Sequence, residues 1–370
     1  MTTSFPKASV LCFPMHGQSK LSSEGYRTRD GHVIEWLGKL NDPDPVAVIS
    51  RPEPAPLSLR KNRNVALNTI DVSTRAWKVP NLRNRRRWWV DSASSYPSLD
   101  PWGPAVPAVV WNPFVALAPK GSNPFSNTRR VVFDLLDDWT VHFAFAGISE
   151  DVLRAYRAAF EKADSVTANA EGTLELAHRF GRKDAVLLPN GVDPERFSRR
   201  SEPTGALNIG YVGKIGKRVD LACIVETAES NPDVTFTFAG PILDEEYRAP
   251  LSALPNLRLL GDVHYTDVPD LLQSFDVGWV PHRVGEGEVG GDVIKTYEYR
   301  AAGLPVLATP FAGVEQRGFA GLHVLEGTRH GSWIKDLASK HSRVSRVEED
   351  FPELMTWESK ARRIRGLYGA

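Results

Sequence analysis

Cysteine is nearly missing from this chain. Cys12 and Cys223 are the only two in 370 residues, and each sits inside an apolar run. That excludes a disulfide framework and predicts buried thiols in a reducing cytoplasm. No stretch approaches the roughly 18–20 apolar residues of a membrane span. The apolar segment near the start, Ala8 to Phe13, is too short for a secretory signal and lacks a cleavage pattern. Net charge is absent as well, 45 Lys and Arg against 45 Asp and Glu. With 42% hydrophobic and 24% charged residues, the composition excludes a disordered, coiled-coil or collagen-like chain. No repeat of fixed period and no low-complexity tract interrupts it. What remains is a globular chain long enough for two domains of about 150–200 residues.

Neutrality hides a local imbalance. Residues 51–90 carry ten Lys and Arg against Glu53 and Asp71, a segment of +8 that the remaining residues offset. Such a field concentrates an anionic partner even on a neutral protein.

Short apolar runs alternate with helical spacing. Strands are predicted at 8–13, 46–50, 65–70, 108–111, 131–135, 165–168 and 185–188, with helices at 31–40, 149–162 and 171–180. The polar stretch 197–205 reads as a linker. Beyond it strands are predicted at 207–212, 234–239, 257–260, 276–280 and 305–309, and helices at 220–229, 268–274 and 292–302. A last helix spans 357–368. Strands that are apolar throughout and separated by helices imply parallel sheets covered on both faces. Two successive doubly wound α/β halves fit this pattern.

Three segments carry chemistry. Leu188-Pro189-Asn190-Gly191-Val192-Asp193-Pro194 is a tight turn after a strand. Gly210-Tyr211-Val212-Gly213-Lys214-Ile215-Gly216-Lys217-Arg218-Val219-Asp220 runs from a strand through a glycine loop with three cations into a helix. Small residues let backbone approach a diphosphate, cations neutralise it, and the helix start adds N–H donors. In the third, the loop 284–291 is rich in glycine and acid, and the helix after it ends in Ala301-Ala302-Gly303 against a buried strand. Lys295 and Glu298, three apart, share one face of that helix.

In this order and spacing, the three segments resemble the C-terminal half of the GT-B glycosyltransferases, close to the retaining family-4 type, over about 185–310. Val131-Val132-Phe133-Asp134-Leu135-Leu136-Asp137-Asp138-Trp139 extends the likeness to the subgroup acting in bacterial surface-polysaccharide synthesis. The resemblance implies two Rossmann-like doubly wound domains facing across a cleft. Residues 1–197 would serve the acceptor, 198–352 a nucleotide sugar, and 353–370 would form a helix crossing back to the first domain. It implies sugar transfer from a UDP- or GDP-linked donor with retention, no cofactor and no metal; no Asp-x-Asp metal motif occurs in the donor half. By the same likeness the ribose-binding glutamate falls on Glu298. The diphosphate cations fall on Lys214 and on Lys217 or Arg218, with the amides of Gly290 and Gly291. The base pocket falls on Val263, His264 and Tyr265, and the donor sugar on Asp292, Lys295 and Gly17. The family often places a second glutamate where this chain has Gly290.

In the first half, the loop 13–18, Arg29 and His32 would face the cleft, as would Asp138 and His142. The last two are the candidates to orient an acceptor hydroxyl, although His142 between Val141 and Phe143 also reads as a packed histidine. The run Arg83-Asn84-Arg85-Arg86-Arg87-Trp88-Trp89 reads either as a solvated basic face with tryptophans folded beneath it, or as a surface for an anionic partner. Arg85, Arg86, Arg87 and Trp88 would then meet an acceptor, a nucleic-acid backbone, or a membrane at its inner face. The acceptor could be a glycan, a lipid-linked intermediate, a small molecule or DNA. Three alternatives keep the fold: a DNA-base glycosyltransferase of hydroxymethylpyrimidine type gripping duplex through 51–90, a nucleotide-sugar epimerase, and a non-catalytic nucleotide-sugar-binding subunit.

Overall fold

The computed structural model describes residues 7–55, 66–126, 128–285, 291–348 and 350–369. They form two units, one of 7–189 with 291 and 357–369, the other of 190–285 with 292–356.

The first unit is built on a parallel sheet of β1 (Val10–Phe13), β2 (Val46–Ile49), β3 (Thr69–Val72), β4 (Ala108–Val110), β5 (Val131–Leu135), β6 (Ser165–Ala168) and β7 (Val186–Leu187). Its spatial order is β3-β2-β1-β4-β5-β6-β7. The direction of winding reverses between β1 and β4, which is where doubly wound sheets bind ligands. β1, β2, β4 and β5 are buried along their whole length, as strands covered on both faces must be. Helices α1 (Gln18–Glu24), α2 (Arg29–Leu40), α3 (Trp88–Asp91), α4 (Ser149–Lys162) and α5 (Glu171–Arg179) belong to the same unit. α4 is amphipathic, burying Val152, Ala155, Tyr156, Ala159 and Phe160 at helical spacing.

The second unit repeats the plan with β8 (Asn208–Val212), α6 (Leu221–Glu229), β9 (Thr235–Ala239), α7 (Arg248–Ser252), β10 (Leu257–Gly261), α8 (Val268–Gln273), β11 (Val277–Val280), α9 (Ile294–Ala301), β12 (Val306–Ala308), β13 (Leu322–Val324) and α10 (His330–Lys340). The sheet order is β10-β9-β8-β11-β12-β13, again parallel throughout. Alternation splits its core into two layers. Leu307 joins Tyr211, Phe236, Phe238 and Trp279 on one face, while Val306 and Ala308 join Phe275, Tyr297 and Tyr299 on the other.

Several expectations need correction. The stretch 197–205 is not where the chain changes unit: the second unit begins at Asn190, and Phe197 is buried in its core. The third strand is Thr69–Val72 rather than 65–70, and Val65 lies outside the described residues. α11 (Trp357–Leu367) joins the first unit and packs along α2, with the Trp357 indole stacked on the His32 ring at 4.7 Å and 16°. His32 is therefore fully buried beneath the last helix. Arg29 is buried too, clamped bidentate on Asp134 at 2.8 and 2.9 Å, so neither side chain faces a site. Among the described residues, no helix is long and apolar enough to cross a membrane.

Candidate active site

The carboxyl ends of β8 and β11 flank the point where the second sheet reverses its winding, and the polar residues of this unit gather there. The loop after β8 is rigid. Gly213 N donates to Ala239 O at 2.8 Å, Ile215 N to Pro241 O at 3.0 Å, and Lys217 N to the Asp244 carboxylate at 2.9 Å. Gly213 and Gly240 make this approach possible. Both have φ near +150°, and a Cβ on Gly240 would lie 1.9 Å from the Gly213 carbonyl oxygen. The helix start contributes less than expected: Asp220 caps α6 itself, accepting from Cys223 N at 3.1 Å.

α9 supplies the facing wall. Buried Tyr299 accepts from Val212 N at 2.7 Å and pins the helix to β8. Tyr297 donates to Asp292 at 2.7 Å. Asp292 also accepts from Asn190 N at 2.8 Å and from the buried Arg317 at 3.3 Å. The Asn190 turn and the start of α9 are thus joined through Asp292, whose carboxylate works as a structural junction.

Between loop and helix lie Lys295, His282, Tyr211 and Arg218. Lys295 Nζ is 3.3 Å from His282 Nε2, 3.5 Å from the Tyr211 hydroxyl, and 4.6 Å above the Tyr211 ring. Burial and the nearby Arg218 push the Lys295 ammonium down to about 7, against a smaller opposing pull from Glu298. Burial, Lys295 and Arg218 together hold buried His282 well below its usual range, so its ring is neutral and accepts from Lys295. Among the described residues, no carboxylate lies within ion-pair distance of Lys295. Lys295 and Arg218 crowded together, with Glu298 only partly offsetting Lys295, form a site suited to an anion.

Glu298, on the same face of α9 and 6% exposed, meets Tyr265. Burial and the Glu298 charge raise the Tyr265 phenol far above its usual range. The Arg196 guanidinium stands 5.8 Å from the Tyr265 ring, held by Asp193 at 2.9 Å. Two positions chosen for different roles, ribose and base, are thus neighbours. Val263 is half-buried and His264 exposed, its ring 2.8 Å from the Thr266 hydroxyl.

The structure therefore brings together Arg218, Lys295, Glu298 and Tyr265 from the candidates, with half-buried Lys214 in the same loop and Lys217 exposed. Sequence reasoning missed His282 and Tyr211. The signal for His282 was its place, two residues past the end of β11 at the reversal point. Gly290 lies outside the described residues, and Gly291 groups with the first unit. Among the described residues, no three His, Cys, Asp or Glu side chains are grouped to hold a metal ion.

In the first unit, Gly17 lies in the loop after β1, at that sheet's reversal point, where its carbonyl starts α1. Asp138 is committed locally: one oxygen accepts from Thr140 N at 2.8 Å and the other meets Arg179. His142 Nδ1 accepts from Ala144 N at 3.0 Å and caps the turn Phe143–Ile148. Both residues thus already have partners within the first unit. Trp88 is not a surface residue. It is 7% exposed and donates to Pro52 O at 3.0 Å, while Arg85, Arg86 and Arg87 above it are exposed.

Comparison with known proteins agrees with this architecture. Residues 207–339 match the family described as glycosyl transferases group 1. A Bacillus subtilis (strain 168) protein named for teichuronic acid biosynthesis glycosyltransferase is 26% identical over 200 residues, covering 49% of this chain and 50% of its own. The chain thus spans about half the length of that curated relative. Sucrose-phosphate synthase from Thermosynechococcus elongatus superposes with a TM-score of 0.68 at 14% identity, over 98% of this chain and 95% of its own. An Anabaena protein solved with UDP and glucose gives 0.61 at 13% identity, over 98% and 97%. A glycosyltransferase involved in avilamycin A biosynthesis gives 0.58 at 14%, over 98% of each chain. At these identities the solved structures speak for the fold. The second unit thus carries the segment that matches the glycosyl transferases group 1 model, and the two doubly wound parallel sheets are the fold these solved structures share.

Proposed function

We propose that the chain moves a sugar from a UDP- or GDP-linked donor to an acceptor hydroxyl, with retention at the anomeric carbon and without a metal ion at the diphosphate. The observation that carries this reading is the Lys295 and Arg218 pair beside neutral His282 at the reversal point of the second sheet. In the transfer, the bond from the anomeric carbon to the diphosphate oxygen breaks. The acceptor oxygen bonds that carbon, and the acceptor proton leaves on the departing diphosphate. Negative charge grows on that diphosphate, and fixed cations in a partly buried site stabilise it without reorganising. Retention rests on the family likeness. The teichuronic acid relative favours a glycan or lipid-linked acceptor of surface-polysaccharide type, and free, buried Cys12 and Cys223 suit a reducing cytoplasm.

Nucleoside diphosphates test the donor site directly. UDP or GDP should raise the melting temperature in EDTA, because binding to the folded state stabilises it by mass action. A shift that appears only with Mg²⁺ or Mn²⁺ would refute the metal-free diphosphate site. Glu298→Gln should weaken nucleotide binding about tenfold, the loss of one charged hydrogen bond, while the melting curve of the free protein stays close to wild type. Isothermal titration with UDP and GDP reads this out, and unchanged affinity would remove Glu298 from the site.

A further inference from the structure

The burial of Trp88 leaves another tryptophan on the surface. Trp77 is 88% exposed, and Val79 and Leu82, close beside it in sequence, are each 81% exposed. Among the described residues these are the three most exposed large hydrophobic side chains. They stand on an anchored loop. Before it, Arg75–Ala76 pairs with Glu53–Pro54. Lys78 Nζ folds back to Asp91 O at 3.0 Å and to the Ser94 hydroxyl at 2.6 Å. The Asn81 side chain accepts from Arg83 N and Asn84 N at 2.9 and 3.1 Å, and Asn84 donates to Gly147 O at 3.3 Å.

Cations follow directly. Arg83, Arg85, Arg86 and Arg87 are all exposed. Arg87 is tied to Asp151 at 3.2 Å, and Arg86 lies over the Phe145 ring at 5.6 Å. Among the described residues, Arg83 and Arg85 have no carboxylate within ion-pair distance. The turn Phe143–Ile148 underneath belongs to an aromatic platform of Trp89, Phe114, Trp139 and Phe145. Val141 and Phe143 add further exposed apolar surface at its edge, at 55% and 42%.

We propose that the surface of residues 77–87 docks the chain on an anionic lipid bilayer. Trp77, Val79 and Leu82 enter the headgroup region, and Arg83 and Arg85 meet the lipid phosphates. An exposed apolar cluster marks an interaction site, and tryptophan at its tip suits the membrane interface. Cations around an apolar tip match the layering of a bilayer, apolar depth beneath a plane of negative charge. A nucleic-acid backbone would satisfy the arginines but gives Val79 and Leu82 nothing to bury against. The proposal goes beyond the donor site, since every residue it uses lies in the first unit.

Co-sedimentation of the 370-residue chain with vesicles tests it. The chain should bind phosphatidylcholine vesicles containing about one third phosphatidylglycerol, should not bind phosphatidylcholine alone, and should be released by salt. Arg83→Ser with Arg85→Ser should weaken binding about twenty-fivefold, roughly fivefold per cation near the surface, and Arg83→Lys with Arg85→Lys should keep wild-type binding. Trp77→Ser with Leu82→Ser should weaken it about tenfold or more through lost apolar burial. The UDP-induced melting shift should stay unchanged in all of these variants, showing that the protein is folded. Failure of the wild type to bind anionic vesicles, or full binding by the Trp77 and Leu82 variant, would overturn the proposal. So would tighter binding to a DNA duplex than to vesicles at equal phosphate, independent of Trp77 and Leu82.

Discussion

Replacing Asp134 by alanine should destabilise the first unit by about 3–5 kcal/mol, the cost of breaking a buried ion pair by removing one partner. Asp134 lies near the end of β5 and is fully buried. It accepts from Arg29 Nε and Nη2 at 2.8 and 2.9 Å, from the Trp111 indole at 2.7 Å, and from the Thr167 hydroxyl at 2.6 Å. One carboxylate therefore ties α2, β6 and the chain just past β4 to β5. Alanine would take the Asp134 carboxylate away from the buried Arg29 guanidinium, 2% exposed, and from the Trp111 and Thr167 donors. Asn should cost less, since it keeps an acceptor and loses only the charge. A paired change of Arg29→Met with Asp134→Leu should recover part of the loss, because apolar residues of similar volume often replace a buried ion pair without penalty. Urea unfolding followed by circular dichroism reads the effect, analysed per transition if the two units unfold separately. A loss below about 1 kcal/mol for Asp134→Ala would mean the unit does not depend on this hub.

Asp134 belongs to a strand that resembles the family's, yet its role is not legible in the sequence. Elements whose signal is local could be read. β5 and β6 coincide with their predicted limits, and so does α4, because an apolar run or a helical stripe is set by neighbouring residues. β13 escaped notice because it is a three-residue edge strand with no fully buried position. α10, with Gly331, Ser332 and Ser339 among its residues, has weak helical propensity and gains its stability by packing on α6. The site divides in the same way. Lys295 and Glu298 on one face of α9 follow from spacing alone. Whether a polar side chain is spent inside the fold does not. Asp138 meets Arg179 across 41 positions of sequence, and Asp292 meets Asn190 across 102. His32 lies under a tryptophan from the far end of the chain. The sequence shows that such residues are present, and only the fold shows what they touch.

Lys295→Met should separate binding from stability. Lys295 stands among His282, Tyr211 and Arg218, and burial with the Arg218 charge brings its ammonium down to about 7. The folded protein therefore holds the Lys295 proton less tightly than the unfolded chain, where lysine titrates near 10.4. Between these values the unfolded state binds more protons, so this residue makes stability rise with pH from about 7 upward. Below about 7 both states are charged and its full destabilising effect is present. Methionine keeps the unbranched stem and removes the charge. The variant should melt above wild type at pH 6, with an advantage that shrinks as pH climbs and vanishes near 10.5. Nucleotide binding should move the other way. Loss of a charge-assisted bond to the diphosphate should weaken UDP or GDP affinity by up to about a hundredfold at pH 7. A bound diphosphate raises the Lys295 pKa, so wild-type binding takes up a proton and weakens as pH rises above about 7. In Lys295→Met this pH dependence should flatten. Melting curves and isothermal titration across pH 6–10 measure both effects on the same samples. If the variant binds nucleotide like wild type, or its affinity keeps the wild-type slope with pH, Lys295 does not hold the diphosphate.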